Sequence, residues 1–265
     1  MLNEKLQYLL ESAHHYFQGQ WNTVWEWFGN DEFNLVVWGS VIVTFLIFWI
    51  PGICFLTIDL SGKPNFLQKY RIQKISKYQK MKFSEVWRDS KQIIYNQLVC
   101  GIPMSVLFYH AVTWRGCDTK NVPAFSRIIL DLVFIVLLEE IAFYYLHRFF
   151  HTPFMFRHIH KVHHKWETPI AITAGLCHPI EHVLCNIFPI TLGPVVLGSH
   201  LITTWLWFCI ATLSTLVLHS GFRILRFPES EVHDLHHIKH SKNYGNVGLM
   251  DRLHGTIEFP KRIRT

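Results

Sequence analysis

The chain has 265 residues, 50% of them hydrophobic and only 17% charged, with 18 histidines and a formal net charge of +6. Its mean hydropathy is +0.18 and its pI about 9.0, a balance too apolar for an ordinary soluble domain and too mixed for a bare bundle of membrane helices. The aromatics sit in the apolar runs rather than among basic residues, so no nucleic-acid partner is expected and the positive charge suits lipid head groups.

In chain order, the opening stretch MLNEKLQYLLESAHHYF mixes acid with base and lacks a long apolar region, so it does not read as a secretory leader. Residues 34–58 then run without a charge. That is enough to cross a bilayer, for which about 20 apolar residues suffice. Pro51-Gly52 predicts a kink there. The connector 59–91 carries nine Lys or Arg, whereas Glu26, Asp31 and Glu32 precede the span. The excess of positive charge places 59–91 in the cytosol.

Residues 92–114 form a second uncharged run, and 128–146 a third that contains Asp131, Glu139 and Glu140. Acids at membrane depth face protein or a cavity, so this third span is expected to turn part of its surface inward. From His182 to Phe222, 41 residues pass without Asp, Glu, Lys or Arg. A straight helix of that length would reach about 60 Å, roughly twice a hydrocarbon core. Pro189, Gly193, Pro194 and Gly198 offer a turn, which predicts a two-pass or re-entrant hairpin. Counting spans from the basic connector, His147 and His233 then emerge on the same, cytosolic side. The C-terminal KRIRT is expected at the membrane surface.

Cys54, Cys100, Cys117, Cys177, Cys185 and Cys209 form no CxxC pair and read as small packing residues rather than a thiolate zinc site. The histidines are different. Fifteen of the 18 fall between residues 147 and 254. His147 and His151 in HRFFH stand at i and i+4, one helical face. His160, His163 and His164 in HKVHH stand at i, i+3 and i+4, and His233, His236 and His237 in HDLHH repeat that spacing. Neutral imidazole suits iron, copper, nickel and zinc. These eight exceed the needs of one tetrahedral zinc and match two ions of higher coordination number. Glu139, Glu140, Glu181, Asp234 and Asp251 are candidates to orient them, while Tyr144 and Tyr145 read as packing.

HxxxH, HxxHH and a second HxxHH beyond a membrane hairpin resemble the fatty acid hydroxylase superfamily over roughly residues 90–260. HPIEH at 178–182, HSGF at 219–222 and NYGNVGLMDRLHGT at 243–256 resemble its C4-methylsterol oxidase branch. The resemblance implies an all-α fold, a multispanning membrane bundle with a cytosolic, histidine-rich cap holding a dimetal site. Residues 1–90 would comprise the N-terminal segment, the first span and the basic connector, and 91–265 the hydroxylase domain. The implied ligands are His147, His151, His160, His163, His164, His219, His233, His236, His237 and His178, with His182 a weaker candidate. His158, His240 and His254 would be neighbours of the site rather than ligands. Thr215 stands where a related branch has a further histidine.

The same resemblance implies two iron ions, O2, and electrons from NAD(P)H through a separate protein, cytochrome b5 or its equivalent. It implies a sterol or sphingolipid substrate and an endoplasmic reticulum membrane, with the site facing the cytosol. Hydroxylation and desaturation both remain open on such a site. A metal transporter would instead need its ligands at mid-membrane, and these boxes lie beyond the span ends beside Lys161, Lys165 and Lys239. An inactive lipid-binding relative is opposed by the three intact boxes.

Overall fold

A computed structural model of the protein describes residues 2–73, 82–223 and 229–260. Lys74, Lys77 and Lys80 of the basic connector, and the C-terminal KRIRT, lie outside the described residues. The fold is all-α. Besides a single turn at Asn65–Gln68, the α-helices of the described residues are α1 (Leu2–Trp27), α2 (Glu32–Ser61), α3 (83–115), α4 (Phe125–Phe150), α5 (Pro153–His158), α6 (Pro179–Leu197), α7 (Leu201–Leu218), α8 (Glu229–Lys239) and α9 (Leu249–His254). Among the described residues there is no strand, only an isolated bridge between Arg71 and Phe222.

α2, α6 and α7 are each long and apolar enough to cross a membrane, and they mark the chain as a membrane protein. In such helices every backbone group but those at the ends is satisfied internally, which is what lipid demands. The ends are closed locally. Asp31 Oδ1 accepts from the Asn34 N–H at 2.7 Å at the start of α2, and the Gly62 N–H donates to Ile58 O at 2.9 Å at its end. Ile42, Leu46, Ile50 and Ile53 form an exposed apolar stripe along α2, suited to acyl chains. Pro51 lies inside α2 without ending it. The other two expected spans, 92–114 and 128–146, are helical within α3 and α4. Asn96, Gln97 and His110 dilute the first, and Asp131, Glu139 and Glu140 charge the second, so neither is as apolar as the other three.

The expected hairpin is α6 and α7. Gly198 (φ +64°) turns the chain, and His200 caps α7 by accepting from the Ile202 N–H on Nδ1 at 3.1 Å. Pro189, Gly193 and Pro194 stay helical. Gly193 has another use, since a Cβ there would sit 3.0 Å from Ile135 Cα, so its absence lets α6 lie directly on α4. One core forms where α1, α2, α3, α4 and α7 meet, around Trp21, Leu35, Phe108, Ile135 and Trp207. A second, around Phe48, Ile93, Leu176 and Leu216, lies under the segment that carries the middle histidine box. The hairpin therefore returns the chain from His182 to His219, and the histidine boxes come together.

Candidate metal centre

Nine of the ten expected ligands converge in two adjoining groups. One ring nitrogen each from His147, His151, His160, His164 and His236 lies within 4.8 Å of all the others, and the same holds for His163, His219, His233 and His237. His147 projects from the last turn of α4 and His151 caps it. The third box lies on α8 as a regular helix. The middle box departs from expectation. His160–Lys165 is a 3₁₀ turn, which eclipses His160 over His163 with ring centroids 5.4 Å apart. The doubled histidines explain the HxxHH spacing. His164 and His236 serve the first group while their neighbours His163 and His237 serve the second, so two segments stitch both groups together. The groups touch, with the His164 and His237 centroids 4.6 Å apart.

The protonation pattern tests whether these nitrogens fit a cation. His147 Nδ1 donates to Tyr244 O at 2.7 Å, His236 Nδ1 to Lys242 O at 2.7 Å, His163 Nδ1 to Leu176 O at 3.2 Å and His219 Nδ1 to Thr215 O at 2.9 Å. Each of these bonds uses the proton of a neutral imidazole on Nδ1 and leaves Nε2 as a bare lone pair. Those lone pairs then face one another. His151 Nε2 lies 2.9 Å from His160 Nε2, 3.1 Å from His236 Nε2 and 3.3 Å from both His147 and His164 Nε2. One nitrogen carries at most one proton, so four such contacts cannot all be hydrogen bonds. Among the described residues His237 has no hydrogen-bond partner on either nitrogen. A knot of unshared lone pairs is the electrostatic signature of a cation site, and the residues present fit a metal ion in each group.

Burial keeps the rings in the ligand form. It brings His163 down to about 4 and holds His160, His233, His236 and His237 well below the ordinary histidine value, with neighbouring imidazoles adding to the effect. The donor set is all imidazole, without thiolate. Nine nitrogens exceed one tetrahedral zinc, and by chemistry alone imidazole suits iron, copper, nickel and zinc.

An outer layer orients the rings. Glu181 Oε1 accepts from His160 Nδ1 at 2.8 Å, and both groups are buried. Glu140 and Asp251 act at one remove, by holding loop 243–250. Glu140 accepts the backbone N–H of Asn246 (2.9 Å), Val247 (2.8 Å) and Met250 (3.1 Å), and Asp251 those of Tyr244 (2.9 Å) and Gly245 (2.7 Å). That loop supplies the carbonyl that fixes His147. A Cβ at Gly245 would meet Glu140 Oε1 at 2.6 Å, so the clamp needs glycine there. Phe156 closes the first group, its ring 5.6 Å from those of both His151 and His164.

The remaining candidates stand outside the two groups. His178 caps α6, its Nδ1 accepting from the Ile180 N–H at 3.2 Å. His182 lies on a cavity wall. His240 adjoins the first group, its ring centroid 4.5 Å from that of His164 and 5.2 Å from that of Phe156. His158 bonds Phe154 O, and His254 stacks on Tyr144 and meets the Tyr145 hydroxyl. Asp234 bonds Gln73 rather than a histidine. Thr215 contributes through its backbone carbonyl on His219. The carbonyls of Lys242 and Tyr244, and the Phe156 ring, were not singled out from the sequence, because backbone acceptors carry no residue signature.

A cavity of about 720 Å³ opens from the histidines into the helical bundle. His147, His160, His163, His219 and His233 form one end of it, and apolar side chains such as Phe45, Met104, Phe143 and Trp207 line its length. Such a site can hold the metals beside a largely apolar, lipid-sized chamber.

Residues 132–256 match the family model described as fatty acid hydroxylase. Over 252 residues the chain is 36% identical to the human protein named fatty acid hydroxylase domain-containing protein 2, covering 95% of this chain and 75% of that one. It is 33% identical to very-long-chain aldehyde decarbonylase GL1-11 of Oryza sativa subsp. japonica, over 85% of this chain and 86% of that protein. Methylsterol monooxygenase 2-2 of Arabidopsis thaliana is 28% identical over 88% of this chain and 90% of its own length. No solved structure matches the chain.

Proposed function

The chain belongs to the fatty acid hydroxylase family, and from that premise we propose that it is a membrane-bound di-iron oxygenase acting on a C–H bond of a sterol or related lipid. Overall, one atom of O2 enters the lipid and the other leaves as water, with two electrons and two protons consumed. NAD(P)H supplies the electrons through a separate carrier of the cytochrome b5 kind. The endoplasmic reticulum membrane, with the histidines on its cytosolic side, is the setting that reading requires. The observation that carries the proposal is the convergence of bare imidazole nitrogens in two groups at the end of an apolar cavity.

The metals, when bound, supply the O2 and redox chemistry that side chains cannot. The protein's own residues do the rest. His147, His151, His160, His164 and His236 would hold one ion, and His163, His219, His233 and His237 the other. Glu181 and the carbonyls of Tyr244, Lys242, Leu176 and Thr215 keep the rings of His160, His147, His236, His163 and His219 turned toward their ions. The apolar walls exclude water and confine the lipid so that one carbon meets the histidine end. We assign residues 91–265 the chemistry and residues 1–90 anchorage, with α2 contributing Phe45 and Phe48 to the cavity wall.

The test uses the full chain in vesicles with NADH, cytochrome b5, its reductase and a 4-methylsterol under 18O2. The proposal requires NADH-dependent appearance of one 18O atom in the lipid. O2 consumption with a new double bond and no label would indicate desaturation. No lipid oxidation and no O2 consumption would overturn the oxygenase reading.

A further inference from the structure

The cavity's charge pattern bears on what enters it. Forty residues of all kinds line it, and no Lys or Arg is among the described ones. Two carboxyls are. Glu181 is committed to His160. Glu139 is not committed to the histidines. It precedes His147 by eight residues on α4, about 12 Å of helix rise, with Phe143 between them on the same wall. The Phe143 ring packs on His147 at 5.0 Å.

Glu139 is 4% exposed. Its Oε1 accepts from Asn246 Nδ2 at 2.7 Å, and among the described residues no other donor reaches the carboxyl. The neighbouring Glu140 contrasts with it, since both its oxygens are filled by loop backbone. An acid buried in an apolar wall with acceptor capacity to spare is costly unless something completes it. Asn246 also lines the cavity, so the pair fixes a carboxyl on a wall that is mostly apolar, where polar side chains such as Ser40, Gln97 and Thr212 carry no charge.

We infer that Glu139, held by Asn246, is a specificity-determining residue that accepts a hydrogen bond from a neutral, hydroxyl-bearing lipid in the cavity. The inference rests on the oxygenase reading only in taking the cavity as the lipid site. A carboxyl selects a donor such as a hydroxyl. A buried sulfate, phosphate or carboxylate head would find no counter-ion and an unfavourable neighbour. An ether of the same skeleton would leave the carboxyl unpaired.

The test is equilibrium binding to the full-length, metal-loaded protein in nanodiscs, without reductant. The probes are cholesterol, its 3-O-methyl ether and its 3-sulfate. A hydrogen bond of this kind predicts that the alcohol binds roughly 10- to 100-fold tighter than the ether, with the sulfate weakest. E139L should shrink the alcohol–ether ratio to about twofold or less while metal content stays at the wild-type level. Should E139L unfold, E139Q, which keeps the size and an acceptor for Asn246, must still reduce the preference severalfold. Equal binding of alcohol and ether, a preference that survives E139L, tight sulfate binding, or no binding of any probe would overturn the inference. Because nothing turns over, a failed oxidation assay leaves this result standing, and a failed preference leaves the oxygenase reading standing.

Discussion

Removing the Glu181 carboxyl tests whether the outer layer sets metal affinity. Glu181 Oε1 lies 2.8 Å from His160 Nδ1, and both side chains are almost fully buried. In E181A the buried His160 N–H loses its acceptor. A buried donor left unpaired costs about 1–3 kcal/mol, which is roughly 5- to 150-fold in an equilibrium constant. Loss of a carboxylate partner from a ligating histidine is independently worth about 10- to 100-fold in metal affinity. The two estimates agree, so E181A should release metal about 10- to 100-fold more readily in competition with a chelator, and E181Q, which keeps a carbonyl acceptor, less than about 10-fold. The loss should fall on the ion held by His147, His151, His160, His164 and His236. Wild-type affinity in E181A, or an equal loss in E139A, whose carboxyl lies far from the imidazoles, would refute the reasoning.

Three further expectations follow from the same geometry. E140A strips the acceptor from three backbone N–H groups of loop 243–250, so at about 1–3 kcal/mol each it should lower the unfolding temperature and loosen the metal bound near His147; an unchanged melt and metal content would contradict the clamp. Burial depresses His163 to about 4 and holds His233 and His236 well below the ordinary histidine value, whereas in the unfolded chain each returns to about 6.5. Protons therefore bind the unfolded state first, and stability is full above about pH 6.5 and lost as pH falls from there toward 4. Metal retention, measured after dialysis across pH, should persist to about pH 5 and fail near 4, and a midpoint near 6.5 would count against buried neutral ligands. G193V places side-chain atoms where even a Cβ would be 3.0 Å from Ile135 Cα; it should destabilise the α4–α6 contact by about 1–3 kcal/mol, read as an earlier thermal transition in detergent, and a wild-type transition would refute the close crossing.

Much of this architecture is legible in the chain before any coordinates. The 41 uncharged residues from 182 to 222 require a turn, and Gly198 makes it. Ligand spacing at i, i+3 and i+4 is visible wherever the backbone is helical, as in α8. It misleads at His160–Lys165, where the backbone is a 3₁₀ turn, although that box, like the one on α8, is shared between the two groups. Periodicity cannot distinguish the two helix types over six residues, and the division depends on packing against Glu181 and Leu176. His178, a ligand implied by the resemblance, is placed outside both groups: the residue before Pro179 is extended, and there its imidazole caps the helix. Glu139 and Glu140 are adjacent and alike in sequence; only the path of loop 243–250 separates a clamp from a cavity wall.

Whether nine imidazoles form two metal sites is read most directly by metal analysis of the full chain purified from membranes, combined with X-ray absorption at the metal edge. Two ions per chain are expected, in a shell of nitrogen and oxygen without sulfur. A single ion per chain, or sulfur in the shell, would contradict that arrangement.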